Sequence, residues 1–203
     1  MYILKISAQE YDQLLETGWR RFGLFFFKPD CIDCFECRPI RIRVNDFALT
    51  KSQKRVLEKN KKTKVVFSEL QLKDEMYEIY DEHSRTRFDQ ETTFEDFQMS
   101  FFSNILPARQ SEFYNIHELI ASGFIDISKN AVSSVYFYYK RSYNRLSLGT
   151  FGALKEIEYA KNLGRSYYYL GFYIKENKSM AYKNRFKPCQ LFDWYEKKWE
   201  DSN

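Results

Sequence analysis

Three cysteines spaced three residues apart are the feature that most constrains how this chain can fold. Cys31, Cys34 and Cys37 lie at positions i, i+3 and i+6, so their thiols converge only if a tight turn brings them to one point. Free cysteines are often simply buried, structural side chains. Three thiols in register instead favour a bound metal, a cluster or a transient disulfide. We therefore predict a metal site at these three cysteines, with zinc and an iron–sulfur cluster both open as the cofactor.

Charge is distributed unevenly along the chain. Residues 20–64 contain thirteen Lys and Arg against five acidic residues, whereas residues 69–118 contain four against twelve. Such a polarised chain attracts a polyanion to one face, although a charge run is often only a solvated surface. Aromatic residues are interleaved with the basic ones between Trp19 and Phe27. This interleaving favours a nucleic acid as the partner.

The length of 203 residues allows one generous domain or a small domain fused to a medium one. With 30% charged and 19% aromatic residues, the composition is typical of a globular protein. No apolar run approaches the roughly 20 residues of a membrane span, and the first residues lack the pattern of a signal peptide. Crowded cysteines at non-disulfide spacing fit a reducing compartment. We expect a cytoplasmic monomer without a membrane partner.

Local patterns predict a mixture of helices and strands. Thr50 and Gln53 form a capping-box pattern at the start of a basic helix at 51–62. Apolar residues at helical spacing predict a second helix at 69–84. The later predicted elements are a helix at 93–102, strands at 112–116, 117–127 and 131–139, a helix at 153–162 and a strand at 165–174. This order predicts an α+β fold with a mixed sheet.

A second segment, Arg145 to Ala153, follows one predicted strand and precedes a predicted helix. Gly149 and Gly152 would let the backbone approach a ligand, and the following helix would offer free N–H groups to an anion. The segment resembles the acyl-CoA-binding turn of the Gcn5-related N-acetyltransferases, with one residue more between Arg145 and Gly149. We therefore take Arg145, Gly149 and Gly152 as candidate substrate-binding residues.

Read together, the cysteine segment and the glycine segment resemble the aminoacyl-tRNA–protein transferases. The resemblance is to the arginyltransferase family in its bacterial form, whose members are mostly aspartate/glutamate leucyltransferases. The matching segments, in family order, are Gly18–Gly23, Cys31–Val44, Ser52–Arg55, Ser134–Tyr138, Ser147–Thr150, Tyr169–Ile174 and Met180–Pro188. They span most of the chain, and their combination is far more specific than any one of them.

The resemblance implies two domains and a substrate pair. A cysteine-bearing N-terminal domain would occupy residues 1–68, and an acetyltransferase-like domain at residues 69–203 would accept charged tRNA in place of acyl-CoA. The implied partners are an aminoacyl-tRNA and acceptor proteins that begin with Asp or Glu, which the reaction would mark for N-end-rule degradation. Leucine is favoured as the transferred residue and arginine stays open. Family members carry one more cysteine before Gly18, so a fourth thiol ligand would have to be Cys189 or come from outside the chain.

The resemblance also suggests roles for individual residues. Asp126 matches a family carboxylate and is the first candidate to orient or deprotonate the acceptor amine, although it could instead cap the turn that follows. Tyr173 and Lys183 are the next catalytic candidates. The candidate pocket and substrate-binding residues are Tyr136, Tyr138 and Tyr173, with Lys183 and Arg185 placed to hold an acidic side chain or the tRNA terminus. The candidate tRNA-binding residues are Arg20, Arg21, Arg38, Arg41, Lys54 and Arg55.

Two other functions fit parts of the sequence. An acyl-CoA-dependent N-acetyltransferase would share the second domain but would leave the basic, cysteine-bearing first third without a role. A non-enzymatic RNA-binding protein would explain residues 18–64 but not the glycine segment. An acidic pocket would indicate an arginyl donor and an apolar pocket a leucyl donor.

Overall fold

The computed structural model describes residues 1–103 and 105–202. The strands are β1 (Arg20–Phe22), β2 (Phe25–Phe27), β3 (Arg38–Arg43), β4 (Thr63–Ser68), β5 (Ala108–Asn115), β6 (Glu118–Ile127), β7 (Ala131–Tyr139), β8 (Tyr167–Tyr173), β9 (Cys189–Asp193) and β10 (Lys198–Ser202). The α-helices are α1 (Ala8–Glu16), α2 (Lys51–Lys59), α3 (Asp74–Phe88), α4 (Phe94–Phe101), α5 (Leu148–Asn162) and α6 (Lys178–Ala181). Short 3₁₀ helices lie at Arg141–Leu146 and Tyr182–Arg185. None of the helices in these described ranges is long and apolar enough to cross a membrane.

Eight strands form one mixed sheet in the order β10-β9-β3-β8-β7-β6-β5-β4, and β1 and β2 form a separate hairpin. Neighbouring strands in the large sheet are antiparallel except β7 and β8, which are parallel. The parallel pairing joins Ala131–Ser133 to Tyr167–Tyr169. Beyond these residues the two strands separate and leave an opening, which we call the splay. The structure confirms the predicted α+β class with a mixed sheet.

The sheet includes strands from both predicted domains. Strand β3 lies between β9 and β8, and β4 forms one edge. Ile40 and Ile42 in β3 are fully buried, because both pack in one apolar cluster with Leu154 and Ile157 of α5. A boundary after residue 68 therefore does not separate two sheets, and the domain limits stay a prediction from sequence organisation.

Helices cover the two faces of the sheet around β8. Successive residues of a strand point to opposite faces, and Tyr168 packs with Leu154 and Ile157 of α5, whereas Tyr169 packs with Tyr11 and Leu15 of α1. A third apolar cluster is aromatic and joins α3 and α4 to β6 and β7. The parallel pair is therefore enclosed between α5 and α1, which buries the polar groups near the splay.

The boundaries of two helices show where local patterns were sufficient. The capping box of Thr50 and Gln53 is confirmed, with both reciprocal hydrogen bonds present. Helix α5 begins at Leu148 rather than Ala153, so the predicted glycine loop is wrong. Gly149 and Gly152 lie in the first turns of the helix, which extends because Leu148 and Phe151 are buried under it.

Candidate active site in the splay

A pocket of about 550 Å³ lies in the splay between β7 and β8. Its walls are formed by Ser134–Phe137 of β7 and Leu170–Phe172 of β8, with Gly149 and Thr150 from the first turn of α5. The remaining lining is divided between apolar or aromatic side chains and polar ones, which include the charged residues Arg20, Arg21, Arg87, Glu156 and Lys183. Strands that part in the middle of a sheet leave backbone and side chains facing a cavity, so this opening is the natural place for a ligand.

Arg20 brings a buried positive charge to the pocket. The side chain enters from β1, is 5% exposed and lines the cavity. Its Nη2 donates to the carbonyl oxygen of Ser134 at 2.7 Å, whereas Nη1 has no hydrogen-bond partner among the described residues. A buried donor without a partner is costly. Nη1 is therefore an unsatisfied buried donor in a residue that lines the pocket.

Lys183 adds a second, partly buried cation near Arg20. Its Nζ donates to the carbonyl oxygen of Phe172 at 3.0 Å. A side chain on Gly171 would approach this amine to 3.1 Å, and the φ of +92° at that position also favours glycine. Burial, followed by the charge of Arg20, lowers the pKa of Lys183 to about 8. Two like charges lower each other's affinity for protons, and a bound carboxylate would relieve both.

Glu156 is the acidic side chain that lines the described part of the pocket. Tyr168 donates its hydroxyl to Glu156 Oε2 at 2.6 Å, whereas Oε1 has no hydrogen-bond partner among the described residues. Burial raises the pKa of Glu156 to about 7, so below that pH it is mostly neutral and does not offset the two cations. Sequence reasoning missed this residue. The available signal was its position on the apolar face of α5, together with Ala153 and Ala160.

Asp126 lies in the core rather than at an exposed strand end. It is fully buried, and Arg21 donates Nε and Nη2 to its two carboxylate oxygens at 2.7 and 2.5 Å. Tyr11 donates a third hydrogen bond at 2.9 Å. Asp126 is also not among the described residues that line the pocket, so its contact with the acceptor amine stays a prediction. The ion pair fastens β1 to β6, which positions the neighbouring Arg20.

The predicted pocket tyrosines occupy three different environments. Tyr136 lines the pocket. Tyr138 is fully buried in the aromatic cluster with Phe97 and Phe124. Tyr173 ends β8 next to Arg38 of β3, beyond the residues that line the described pocket. Only Tyr136 of the three is therefore in reach of a ligand in the splay, and the catalytic role of Tyr173 stays a prediction.

The remaining predicted substrate-binding residues are also dispersed. Gly149 lines the pocket, whereas Gly152 lies against Phe137, whose ring would be 2.4 Å from an added Cβ. Arg145 lies in a second cleft. Arg185 is exposed, and its carbonyl oxygen accepts a hydrogen bond from Gln53 Nε2 at 3.2 Å. Gly152 thus has a packing role, because no larger residue fits beneath the ring.

The six predicted tRNA-binding residues do not form one surface. Arg20 and Arg21 are buried as described above. Arg41 is 8% exposed, and its guanidinium lies 4.0 Å from the ring centre of Tyr167 and 4.3 Å from that of Trp199. Arg38 donates to the carbonyl oxygen of Phe192 at 3.0 Å. Burial and internal pairing thus contradict a phosphate-binding role for Arg21 and Arg41. Lys54 and Arg55 are exposed on α2.

The three clustered cysteines lie in an exposed segment. Cys31 and Cys34 are exposed and Cys37 is partly buried. Burial and then the neighbouring Cys34 and Cys31 raise the pKa of the Cys37 thiol, so the three thiols are close to one another. Even so, residues 1–103 and 105–202 contain no group of three or more His, Cys, Asp or Glu side chains arranged to hold a metal. Cys189 is buried in β9 and bonds to Asn184 at 3.2 Å. The metal at Cys31, Cys34 and Cys37 therefore stays a prediction from their spacing.

Comparison with known families identifies the chain. Residues 2–55 match the sequence model described as arginine-tRNA-protein transferase, N terminus, and residues 73–193 match the model described as its C terminus. The chain therefore belongs to the arginine-tRNA-protein transferase family and is an aminoacyltransferase. Among curated relatives, the aspartate/glutamate leucyltransferase of Campylobacter jejuni subsp. jejuni serotype O:6 (strain 81116) is 33% identical over 200 residues. That match covers 94% of this chain and 82% of the relative.

Other curated relatives carry the same name. The aspartate/glutamate leucyltransferase of Helicobacter hepaticus is 32% identical over 197 residues, covering 94% of this chain and 82% of the relative. That of Saccharophagus degradans is 35% identical over 198 residues, covering 93% and 82%. The likeness thus extends over nearly the whole chain in three different bacteria.

Two solved structures share the fold at low sequence identity. L-PGS from Bacillus licheniformis matches with a TM-score of 0.52 and 12% identity, covering 86% of this chain and 53% of that one. FemX matches with a TM-score of 0.54 and 7% identity, covering 83% and 61%. The chain spans between half and two thirds of these structures, and the likeness shows the fold alone.

Proposed function

We propose that this protein transfers leucine from leucyl-tRNA to the N-terminal amine of proteins that begin with Asp or Glu. The names of the curated relatives support this assignment. The observation that carries it is a pair of neighbouring cations, the buried Arg20 and the partly buried Lys183, in a pocket whose other walls are mainly apolar. The acidic first side chain of the acceptor would complement the cations, and the leucine side chain of the donor would complement the apolar walls.

The acceptor side chain would lie between the two cations. A carboxylate accepting hydrogen bonds from Arg20 Nη1 and Lys183 Nζ would form charge-assisted bonds, which are about twice as strong as neutral ones. It would also satisfy the buried donor that has no partner among the described residues. Arg87 lines the same pocket and adds positive charge. Acceptors that begin with Asn or Gln would form weaker bonds here.

The donor side chain would occupy the apolar and aromatic part of the pocket. Tyr136, Leu170 and Phe172 line this region. An arginyl group would meet cations of its own sign, because Arg20, Arg87 and Lys183 outnumber Glu156 in the lining. The electrostatics of the pocket therefore favour leucine over arginine.

The chemistry needs no covalent enzyme intermediate, because the aminoacyl ester of tRNA is already activated. The neutral acceptor amine attacks the ester carbonyl, a C–N bond forms, the bond to the ribose oxygen breaks and the amine proton ends on that oxygen. An α-amine has a pKa of about 8, so a useful fraction is neutral at physiological pH. The pocket would contribute chiefly by holding amine and ester in line.

We also propose that the transfer unit is acetyltransferase-like and occupies residues 69–203, preceded by the cysteine-bearing region at residues 1–68. The parallel pair β7 and β8, which parts to form the pocket, supports this interpretation. In this proposal the products enter N-end-rule degradation in the cytoplasm.

A transfer assay tests the proposal. Labelled leucyl-tRNA and arginyl-tRNA are supplied in parallel, with peptides that begin with Asp, Glu, Asn or Lys as acceptors. We expect label only from leucyl-tRNA, and kcat/KM highest for the Asp and Glu peptides. Equal use of the Asp and Asn peptides would rule out the carboxylate-binding role of the cations. Transfer from arginyl-tRNA at a similar rate would overturn the choice of donor.

A further inference from the structure

A second cleft of about 410 Å³ lies beside the active-site pocket and is rich in positive charge. It is formed by the C-terminal end of α2 with the turn that follows and by the 3₁₀ helix Arg141–Leu146. Its charged lining residues are Glu58, Lys59, Lys61, Lys62 and Arg145. Four cations against one carboxylate give the cleft a net positive charge, and the proposed catalytic chemistry assigns it no role.

Most of this charge is not balanced within the protein. Glu58 pairs with Lys61 at 2.5 Å, and no described acidic side chain forms an ion pair with Lys59, Lys62 or Arg145. Further exposed cations continue along α2 to Lys51. A nine-residue helix is about 13 Å long. The charge thus forms a track rather than a single point.

The cleft is held firmly against the edge of the pocket. Asn60 is 2% exposed, and its Nδ2 donates to the carbonyl oxygens of Val56 and Leu146 at 2.9 and 2.8 Å. Lys59 Nζ donates to the carbonyl oxygen of Arg145. The residue after Leu146 is Ser147, which lines the active-site pocket. A ligand that extends out of the pocket past the start of α5 therefore meets the cleft next.

We infer that this cleft and the exposed side of α2 bind the phosphodiester backbone of the tRNA acceptor arm while the aminoacyl end occupies the pocket. The inference rests on the proposed function, because it takes leucyl-tRNA as the donor. A rigid cationic track that starts at the pocket suits an evenly charged polymer better than a single acidic side chain. It assigns tRNA binding to Lys59, Lys62 and Arg145, together with the exposed Lys54 and Arg55, in place of the buried Arg21 and Arg41.

The test compares two donors with one variant. Lys62→Glu combined with Arg145→Glu reverses two of the cations that the inference assigns, and it leaves the hydrogen bonds of Lys59 and Asn60 to backbone carbonyls intact. The control is Lys129→Glu with Lys161→Glu. Both lysines are exposed; Lys129 lies in the turn before β7 and Lys161 at the C-terminal end of α5. Donors are full-length leucyl-tRNA and a short leucylated oligonucleotide ending in CCA, and tRNA binding is measured directly across a salt series.

We expect KM for leucyl-tRNA to rise roughly tenfold or more in the cleft variant, and far more than KM for the short donor. The salt dependence of tRNA binding should also become less steep, by roughly 0.7–0.9 in logarithmic slope for each phosphate that the variant no longer neutralises. The control variant should match the wild type, and melting temperatures verify that all three proteins are folded.

Three results overturn the inference. Unchanged tRNA affinity and salt slope would show that the cleft does not bind tRNA. An equal rise in KM for both donors would place the effect in the pocket. A change in KM for the acceptor protein alone would make the cleft a protein-binding site. If the wild type transfers leucine from neither donor, the proposed function fails, whereas the direct binding measurement still decides whether the cleft holds RNA.

Discussion

The pocket in the splay and the cysteine segment at 28–37 differ in how the fold holds their reactive groups. In the pocket, Arg20, Glu156 and Lys183 come from distant parts of the chain; the first two are buried and Lys183 is partly buried. In the cysteine segment the thiols are neighbours in sequence, yet Ile32 among them is 93% exposed. Burial shifts the pKa of Glu156 and of Lys183. The pKa of a group is shifted most where the tertiary structure excludes water from it. Close spacing of residues in the sequence does not by itself exclude water.

The largest expected effect concerns the framework of the pocket. Asp126→Asn should destabilise the protein by about 3–5 kcal/mol, because it leaves the buried Arg21 without its charged partner. Asp46→Asn is the matched control, since its pair with Arg43 at 3.0 Å is exposed and contributes at most about 1 kcal/mol. Urea unfolding of both variants measures the difference. A stable Asp126→Asn protein with a severely reduced transfer rate would instead restore a direct catalytic role for this carboxylate.

The next effect concerns stability against pH. The pKa of Glu156 is about 7 in the folded protein, against 4.5 when the chain is unfolded. Between these two pH values the unfolded chain loses the proton while the folded protein keeps it, so stability is lost as pH rises from about 4.5 to 7. The full loss is about 3 kcal/mol by linkage. Glu156→Gln keeps a group that can bond to Tyr168 but cannot ionise, so it should remove this loss while retaining transfer activity.

The difference in unfolding free energy between wild type and Glu156→Gln, measured at pH 5 and pH 8, isolates the contribution of this one carboxyl group. The lowered pKa of Lys183 changes stability only above about pH 8 and does not interfere. An unchanged difference between the two pH values would show that Glu156 ionises normally and that the base of the pocket is wetter than the structure indicates.

A smaller effect is expected for recognition of the acceptor. Lys183→Met should lower kcat/KM for an Asp peptide roughly a hundredfold, because a buried charged hydrogen bond is lost, and should reduce the preference for Asp over Asn. Lys178→Met is the control, since Lys178 is exposed nearby on α6. If Lys183 holds the carboxylate as a cation, kcat/KM falls above pH 8, the lowered pKa of this lysine. If kcat/KM instead rises as the pH passes about 8, Lys183 acts as a proton acceptor.

The smallest effect is expected for the cysteine segment. Because Cys34 is exposed, Cys34→Ser should change stability by no more than about 0.5 kcal/mol. Elemental analysis and visible absorption after anaerobic purification test the metal predicted from the spacing. Near-stoichiometric zinc or iron that disappears in the variant, together with a large drop in melting temperature, would reverse the comparison between the two regions and show that the segment closes around a ligand.

Local patterns were sufficient where neighbouring residues decide the structure. The capping box of Thr50 and Gln53 sets the start of α2, and a run of β-branched and aromatic residues at 135–139 marks β7. They were insufficient for α5, whose start depends on burying Leu148 beneath the sheet. They also missed β9 and β10, since strands of five residues carry little local signal and depend on the neighbours with which they pair. Helix α1, with its capping box at Ser7 and Glu10, had a local signal that was overlooked.

The sequence by itself determined the family, the α+β class and the presence of a cationic N-terminal third, because motif order and composition are properties of the chain. Only the tertiary structure decided which charges are available. It paired Arg21 with Asp126, stacked Arg41 between two aromatic rings, and left Arg20 and Lys183 facing the same cavity. Sequence counts these arginines alike, whereas burial and partners set the free energy of each charge, and contacts between distant residues fix both.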